Sequence, residues 1–366
     1  MAGGKLRHMF PGGNTPQGFF SYYDYVIPND ATRIFLLKGG PGVGKSTFMK
    51  KIGQTLSEHG YTVEHHHCSS DPHSLDGLVI PKLGVALIDG TAPHIVDPKH
   101  PGCVDEILNL GEYWDEDKMV HNKTAIFTYT NEISKRFQRA YRMLKAAKAV
   151  YDDWEAANYE AMNYHAANQK AATLLATLFN GINTVGYGKM RKLFASAITP
   201  VGPINYIDSI SDGFSKRYII TGLPGTGKAT LLATVANTAV AKGLDIEAFY
   251  CPLDPLKLEH IMIPSLDTAL ITSTPPHSQT FTNATEIIDM NDCLNTDIVL
   301  RLESVTDYDR NTFWELFGKA GAYIHEAKKL HDELETYYIP NINFSGVDAL
   351  RVKTLARIVG YTATQQ

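Results

Sequence analysis

The residues with the clearest chemistry lie in one glycine-rich segment, Gly39-Gly40-Pro41-Gly42-Val43-Gly44-Lys45-Ser46, which fits the pattern GxxxxGK[ST] at every constrained position. Glycines at this spacing let the main chain wrap around phosphate oxygens, so that its N–H groups form an anion-binding nest before a helix. We expect Lys45 to reach the β- and γ-phosphates, Ser46 to bind Mg²⁺ and Thr47 to contact the α-phosphate. The segment therefore predicts a site for a nucleoside triphosphate with its metal ion.

An apolar run that ends in an acidic residue follows this loop. Val85-Ala86-Leu87-Ile88-Asp89 has the form of a Walker B strand, whose terminal carboxylate helps to hold Mg²⁺. We therefore predict Asp89 as a catalytic and metal-binding residue beside Ser46, the alternative being a surface aspartate that caps the strand. Gly90 follows in place of the usual ATPase glutamate, and the DxxG and NKxD patterns of GTPases are absent. These absences favour ATP over GTP.

The residue that would position the attacking water is open between two candidates. Asp71 and His94 both follow the carboxyl ends of predicted strands, where ligands bind in open α/β sheets. The alternative for Asp71 is a helix N-cap, and the alternative for His94 is an ordinary hydrogen-bonded loop histidine. Both residues are retained as predicted catalytic residues.

The elements that must position these residues occur twice in the chain. Lys45 aligns with Lys228, and the same offset of 183 residues continues without a gap through Cys68 and Cys251 as far as His94 and His277. The repeat predicts two tandem P-loop NTPase-like domains, at about 8–190 and 191–366, with a long helical insertion at about 131–180 in the first.

Each half alternates short apolar strands with helices, which favours an α/β fold with a mainly parallel sheet flanked by helices. The predicted strands are Ile34–Leu37, Tyr61–His67 and Gly84–Ile88 in the first half, and Tyr218–Ile220, Asp245–Tyr250 and Thr268–Ile271 in the second. Long helical stretches are predicted at about 131–179 and 311–336, since alanine-rich and glycine-free sequence such as Arg139–Asn158 favours helix.

The second loop is a degenerate copy of the first. Ala229 stands where the first loop has its magnesium-binding hydroxyl, and Thr272 stands at the Walker B position. We predict that this loop holds nucleotide weakly or statically, with Thr230 as a partial substitute, and the alternative is a purely structural partner. The residues predicted for this second site are Gly222, Gly225, Thr226, Gly227, Lys228, Ala229 and Thr230.

Composition narrows the class of protein further. The 366 residues carry a formal net charge of −5 and are 44% apolar, which is typical of globular proteins and gives no reason to expect nucleic acid as a partner. No apolar run is long enough to span a bilayer, and the N-terminus has no signal-peptide pattern. The four cysteines are widely spaced, so reduced thiols in a cytoplasmic protein are expected.

Four features together resemble an uncharacterised family of bacterial tandem P-loop ATPases over nearly the whole chain. They are the loop GGPGVGKST, the segment CSSDPHSLDGLVIPKLGVALIDGTAPH, the following VDPKHPGCVDEI, and the degenerate second loop. The resemblance implies an α/β P-loop fold and ATP binding at Gly39–Thr47. Ala229 departs from the general pattern, which puts magnesium-dependent activity of the second half in doubt.

Three functions are compatible with these patterns. The first is an Mg²⁺-dependent ATPase that is active in the N-terminal half and has a regulatory or structural second half. The second is a small-molecule phosphotransferase, with the helical stretch at 131–180 as its lid. The third is a non-catalytic nucleotide sensor whose long helices bind a protein partner.

Overall fold

The computed structural model describes residues 4–92, 95–184, 186–279 and 283–361. Its first half contains eight strands and four α-helices. The strands are β1 (Leu6–Met9), β2 (Gly12–Thr15), β3 (Gly18–Ser21), β4 (Arg33–Lys38), β5 (Val63–His67), β6 (Leu75–Ile80), β7 (Val85–Asp89) and β8 (Asp105–Asn109). The helices are α1 (Lys45–Glu58), α2 (Glu116–His121), α3 (Lys123–Glu160) and α4 (Tyr164–Phe179).

The second half repeats the order of the strands. Its strands are β9 (Met190–Leu193), β10 (Ser196–Thr199), β11 (Gly202–Asn205), β12 (Lys216–Thr221), β13 (Ile246–Cys251), β14 (Asp254–Ile263), β15 (Thr268–Ser273) and β16 (Glu286–Asp289). Its helices are α5 (Ile207–Ser211), α6 (Lys228–Ala241), α7 (Thr296–Tyr338) and α8 (Phe344–Gly360). The predicted α/β class is confirmed.

Two six-stranded sheets share one topology. The first has the order β1-β5-β6-β7-β4-β8 and the second the order β9-β13-β14-β15-β12-β16. In each sheet one strand, β6 or β14, runs antiparallel to both of its neighbours, and the other pairs are parallel. The sheets are therefore mixed, and the prediction missed the antiparallel strand. Short connections explain its direction, because a parallel crossover needs a dozen or more residues.

The longest helices, α3 and α7, pack against each other along their length. Tyr151 contacts Phe313 near one end, with ring centroids 5.1 Å apart, and Tyr129 contacts Tyr337 near the other, at 5.6 Å. Since residue numbers rise along one helix as they fall along the other, the two helices are antiparallel. The long insertion was predicted for the first half, and α7 gives the second half an insertion of the same design.

Each half contributes a helix to the core of the other half. Leu174 and Leu178 of α4 are buried with Ile220 of the second sheet, while Val347 and Ile358 of α8 are buried in the core that contains β4 and α1. The exchange follows from α3 and α7, which each carry the chain from one sheet to the other. The boundaries predicted at 8–190 and 191–366 describe the sequence repeat and stay a prediction as domain limits.

A buried ionic network joins the two sheets near their first strands. Glu64 accepts from Arg7 Nη1 at 2.9 Å and from Arg191 Nη2 at 2.6 Å, and Glu247 accepts from Arg7 Nη1 at 3.0 Å and from Arg191 Nη1 at 3.2 Å. Burial opposes the charge of Glu64, but the Arg191 and Arg7 guanidiniums hold its pKa well below the usual range. The network uses one arginine and one glutamate from each half.

Candidate functional site

The first glycine-rich loop connects β4 to α1 at the carboxyl edge of the sheet. Gly42 and Gly44 both have positive φ, of 68° and 88°, which turns the main chain back on itself before α1 begins at Lys45. The first turn of α1 has N–H groups without helical partners, and the helix dipole adds positive potential there. The loop therefore has the main-chain shape of an anion-binding nest.

The Lys45 ammonium lies inside this loop and beside the end of β7. Its Nζ donates to Gly39 O at 2.7 Å and to Gly40 O at 2.9 Å, and lies 3.5 Å from Asp89 Oδ2. The side chains of Lys45 and Asp89 are only 11% and 12% exposed. The sequence-predicted lysine and aspartate are thus brought together, because β4 and β7 are adjacent parallel strands.

The two predicted metal ligands offer the hard oxygen atoms that Mg²⁺ prefers. Ser46 Oγ, on the first turn of α1, accepts a hydrogen bond from Leu75 N at 3.0 Å. Asp89 Oδ1 accepts from Thr91 N at 3.0 Å and from Thr91 Oγ1 at 2.6 Å, so the carboxylate is fixed in orientation. The donor set around the first loop therefore fits a magnesium ion accompanying a nucleotide.

A second buried carboxylate, Asp76, lies next to Asp89, and sequence reasoning missed it. The antiparallel register pairs Gly77 with Ile88, and its continuation sets Asp76 opposite Asp89 on the same face of the sheet. Asp76 is 4% exposed. Burial and the adjacent Asp76 raise the pKa of the Tyr23 hydroxyl well above its usual value. The repeat carried a signal for this site, because Asp76 aligns with Glu259 in the second half.

Of the two residues predicted to position the attacking water, the structure describes Asp71 but not His94. Asp71 lies in the turn between β5 and β6, where it accepts from His73 N at 3.3 Å and Ser74 Oγ at 3.0 Å, and it does not cap a helix. It also forms an ion pair with Lys328 of α7, at 3.5 Å. His94 lies outside the described residues, and its aligned counterpart His277 is buried, which lowers its pKa to about 3.

The C-terminal end of α7 covers the first loop. Glu335 Oε1 accepts a hydrogen bond from Gly42 N at 3.1 Å. A Cβ atom added to Gly42 would meet the side chain of Ile339 at 2.8 Å, and one added to Gly40 would meet Tyr338 at 2.9 Å. A carboxylate on a nest amide makes the kind of hydrogen bond that a phosphate oxygen would make. Sequence reasoning did not place these residues at the site.

The second loop has the same main-chain shape and a different set of side chains. Lys228 Nζ donates to Gly222 O at 2.9 Å and to Leu223 O at 2.6 Å, as Lys45 does in the first loop. Burial, together with the nearby Lys257 ammonium, lowers the pKa of Lys228 to about 8. Thr272, at the Walker B position, donates its hydroxyl to Glu259 O at 2.9 Å.

Helix α3 covers the second loop as α7 covers the first. The main chain of α3 is so close that a Cβ atom added to Gly225 would lie 2.1 Å from Glu155 O. The loop, α3 and β14 enclose a cavity of ≈ 350 Å³. In the long helices the two halves align at an offset of 180 residues. The aligned pairs that the helices bring to the loops are Lys148 and Lys328, Asp152 and Asp332, and Glu155 and Glu335. Lys148 contacts Asp254 at 3.4 Å, which corresponds to the contact of Lys328 with Asp71.

A glycine-rich loop between a parallel strand and a helix, with a lysine inside it and an aspartate on the adjacent strand, defines a P-loop nucleotide-binding protein. Comparison with known proteins agrees, since residues 21–304 match the KAP family P-loop domain. The match covers most of the chain, so the chain belongs to this family of P-loop NTPases. No curated protein and no solved structure matches the chain.

None of the helices in the described residues combines the length and the apolar character that crossing a bilayer requires. The cytoplasmic location, the protein partner of the long helices and the exclusion of nucleic acid stay predictions from the sequence.

Proposed function

We propose that the chain is an Mg²⁺-dependent ATPase whose active site is the first loop, with the second half as its regulatory or structural partner. The observation that carries this proposal is the approach of Lys45 Nζ to Asp89, 3.5 Å apart at the mouth of the loop. Membership of a P-loop NTPase family supports nucleotide binding at this site. ATP is preferred to GTP because the sequence lacks the guanine-recognition patterns.

The chain's own residues would bind and orient the triphosphate. The amides of Gly39–Thr47 would donate to its oxygens, and the Lys45 ammonium would turn from the loop carbonyls to the β- and γ-phosphates. Ser46 and Asp89 would hold Mg²⁺, which supplies positive charge to the phosphate oxygens when it is bound. Asp76, which lies beside Asp89 on the adjacent strand and on the same face of the sheet, would add a second carboxylate near the metal ion.

Positioning of the attacking water is proposed for Asp71 or His94. The ion pair between Asp71 and Lys328 supports the first candidate, because it joins the turn after β5 to the helix that covers the loop. A change in this turn on nucleotide binding would then reach α7. The second loop, built from Gly222, Gly225, Thr226, Gly227, Lys228, Ala229 and Thr230, is proposed as a nucleotide site without turnover.

The test is phosphate release from Mg-ATP by the purified full-length chain. We expect turnover without an added acceptor, a loss of at least a hundredfold in Lys45→Ala and in Asp89→Asn, and no change in Lys319→Ala. Lys319 is a matched control because it is exposed on α7 and pairs only with Glu315 among the described ion pairs.

Three other outcomes would contradict the proposal. Unchanged turnover in Lys45→Ala would move the active site elsewhere. Consumption of ATP only with an added metabolite would indicate a phosphotransferase. Tight ATP binding without turnover would indicate a nucleotide sensor.

A further inference from the structure

Two aligned positions make the formal charge at the second loop more positive than that at the first loop. Asp89 corresponds to Thr272 and Ser74 corresponds to Lys257. Each replacement raises the formal charge at the site by one, so that together they raise it by two. This is the charge that Mg²⁺ would bring to the first loop.

The donor set of the second loop does not fit Mg²⁺. Ala229 has no oxygen at the position of Ser46, and the Thr272 hydroxyl already donates to a main-chain carbonyl. Four acids line the cavity, and three of them lie in or beside ion pairs with lysines: Asp152 and Asp254 with Lys148, and Glu155 with Lys257. The fourth, Glu259, accepts through Oε2 from Ser196 Oγ at 3.1 Å. Burial raises the pKa of Glu259 to about 7, so this carboxyl is protonated much more readily than an exposed one.

Three lysines line the cavity; Lys148 is paired with Asp152 and Asp254, and the other two are Lys228 and Lys257. Lys228 is 8% exposed and lies inside the loop, and Lys257 projects from β14 into the same cavity. Lys257 forms an ion pair with Glu155 of α3. Burial and repulsion by Lys257 lower the pKa of Lys228, and the Glu155 and Asp289 carboxylates partly offset that lowering. The pair of lysines is therefore placed to receive an anion that lies on the loop amides.

We propose that the second loop binds the phosphate chain of a nucleotide without a metal ion, with the Lys257 ammonium in the place of Mg²⁺. The phosphate would replace the Glu155 carboxylate as the partner of Lys257. The cavity of ≈ 350 Å³ lies at the small end of ligand sites, which span roughly 300–1,000 Å³, and is large enough for a phosphate chain. This inference rests on the proposed nucleotide site of the second loop and adds how that site balances the charge of the phosphates without a metal ion.

Equilibrium dialysis of the full-length chain with a labelled non-hydrolysable ATP analogue tests the proposal, because the proposed ATPase would consume ATP itself. In excess EDTA we expect one analogue bound per chain, and with Mg²⁺ we expect two. Lys257→Met should weaken the EDTA-resistant binding at least tenfold, and Lys257→Arg, which keeps the charge, should retain it within a few fold. Lys319→Met, at an exposed position on α7, should bind as the wild type does.

Several results would overturn the proposal. The first is the absence of binding in EDTA. The second is an equal loss of EDTA-resistant binding in Lys257→Met and Lys257→Arg when circular dichroism shows that both variants are folded. The third is EDTA-resistant binding that disappears in Lys45→Met, which would place that binding at the first loop. If Lys257→Met does not fold, the binding of the wild type in EDTA and the binding of Lys257→Arg still test the proposal. Failure of the ATPase proposal would be seen separately, as absent phosphate release with Mg²⁺ present.

Discussion

Glu335 Oε1 accepts a hydrogen bond of 3.1 Å from Gly42 N, so a carboxylate from the second long helix lies on the phosphate nest of the first loop. Its aligned counterpart, Glu155, lies at the second loop and pairs with Lys257 instead. A phosphate oxygen and the Glu335 carboxylate cannot use the same amide proton fully at the same time. Nucleotide binding at the first loop therefore requires the Glu335 side chain to leave Gly42 N. Because Glu335 belongs to α7, this change alters the contact between α7 and the loop.

The first prediction concerns the charge of Glu335. Glu335→Gln should tighten Mg-ATP binding about tenfold, or about 1.4 kcal/mol, because the displaced side chain no longer places a negative charge near the phosphates. Titration calorimetry of a non-hydrolysable ATP analogue with Mg²⁺ into the full-length chain measures the change without heat from turnover. Glu315→Gln, on an exposed part of the same helix, is the control and should leave the affinity unchanged. Equal or weaker binding in Glu335→Gln would show that the carboxylate does not compete.

The second prediction concerns the close approach of α3 to the second loop. Gly225 and Gly202 both have positive φ, of 81° and 99°, so an alanine carries a similar backbone penalty at either position. Only at Gly225 would the new Cβ meet main-chain atoms, at 2.1 Å from Glu155 O, while nothing lies within 4 Å of a Cβ at Gly202. Gly225→Ala should lower the free energy of unfolding by about 3 kcal/mol more than Gly202→Ala.

Urea unfolding followed by circular dichroism compares these two variants. Equal losses of stability would mean that α3 does not press on the loop as described. The contrast isolates the steric contact, since the shared φ penalty cancels between the two positions.

The sequence predicted the parts of the site that local pattern controls. Lys45 and Ser46 follow from a loop whose glycines specify its main-chain shape, and Asp89 follows from an apolar run that ends in an acidic residue. Asp76 was missed because β6 is a short run with a glycine inside it, LDGLVI, and has no clear alternation. Glu335 could not be predicted, because it reaches the first loop only through the exchange of helices between the two halves.

The third prediction concerns the ionic network that joins the sheets. Glu64→Gln leaves two partly buried guanidiniums, those of Arg7 and Arg191, to share the single remaining carboxylate, Glu247. Removal of one member of a buried ion pair typically costs about 3 kcal/mol or more, so the free energy of unfolding should fall by that amount. Glu132→Gln, in an exposed pair with Lys135, should leave stability nearly unchanged. Similar urea midpoints for the two variants would contradict a stabilising role for the network.

The last prediction concerns the proton on Glu259. Its pKa is about 7 in the folded chain against a usual 4.5, so below about pH 4.5 both folded and unfolded states hold the proton and no stability difference arises. As the pH rises from 4.5 to 7, the unfolded chain releases the proton and the folded chain retains it, which lowers the free energy of unfolding. Above pH 7 the full penalty is on the order of 3 kcal/mol.

Glu259→Gln removes this titration and can still accept a hydrogen bond from Ser196. The variant should therefore gain stability over the wild type as the pH is raised, with little difference at pH 4.5 and the largest difference near pH 8. Urea unfolding of both proteins at several values between these limits measures that difference directly. A difference that stays constant over the range, or that grows toward acid pH, would mean that Glu259 is ionised inside the folded protein, and the second loop would then keep the negative charge that its lysines must offset.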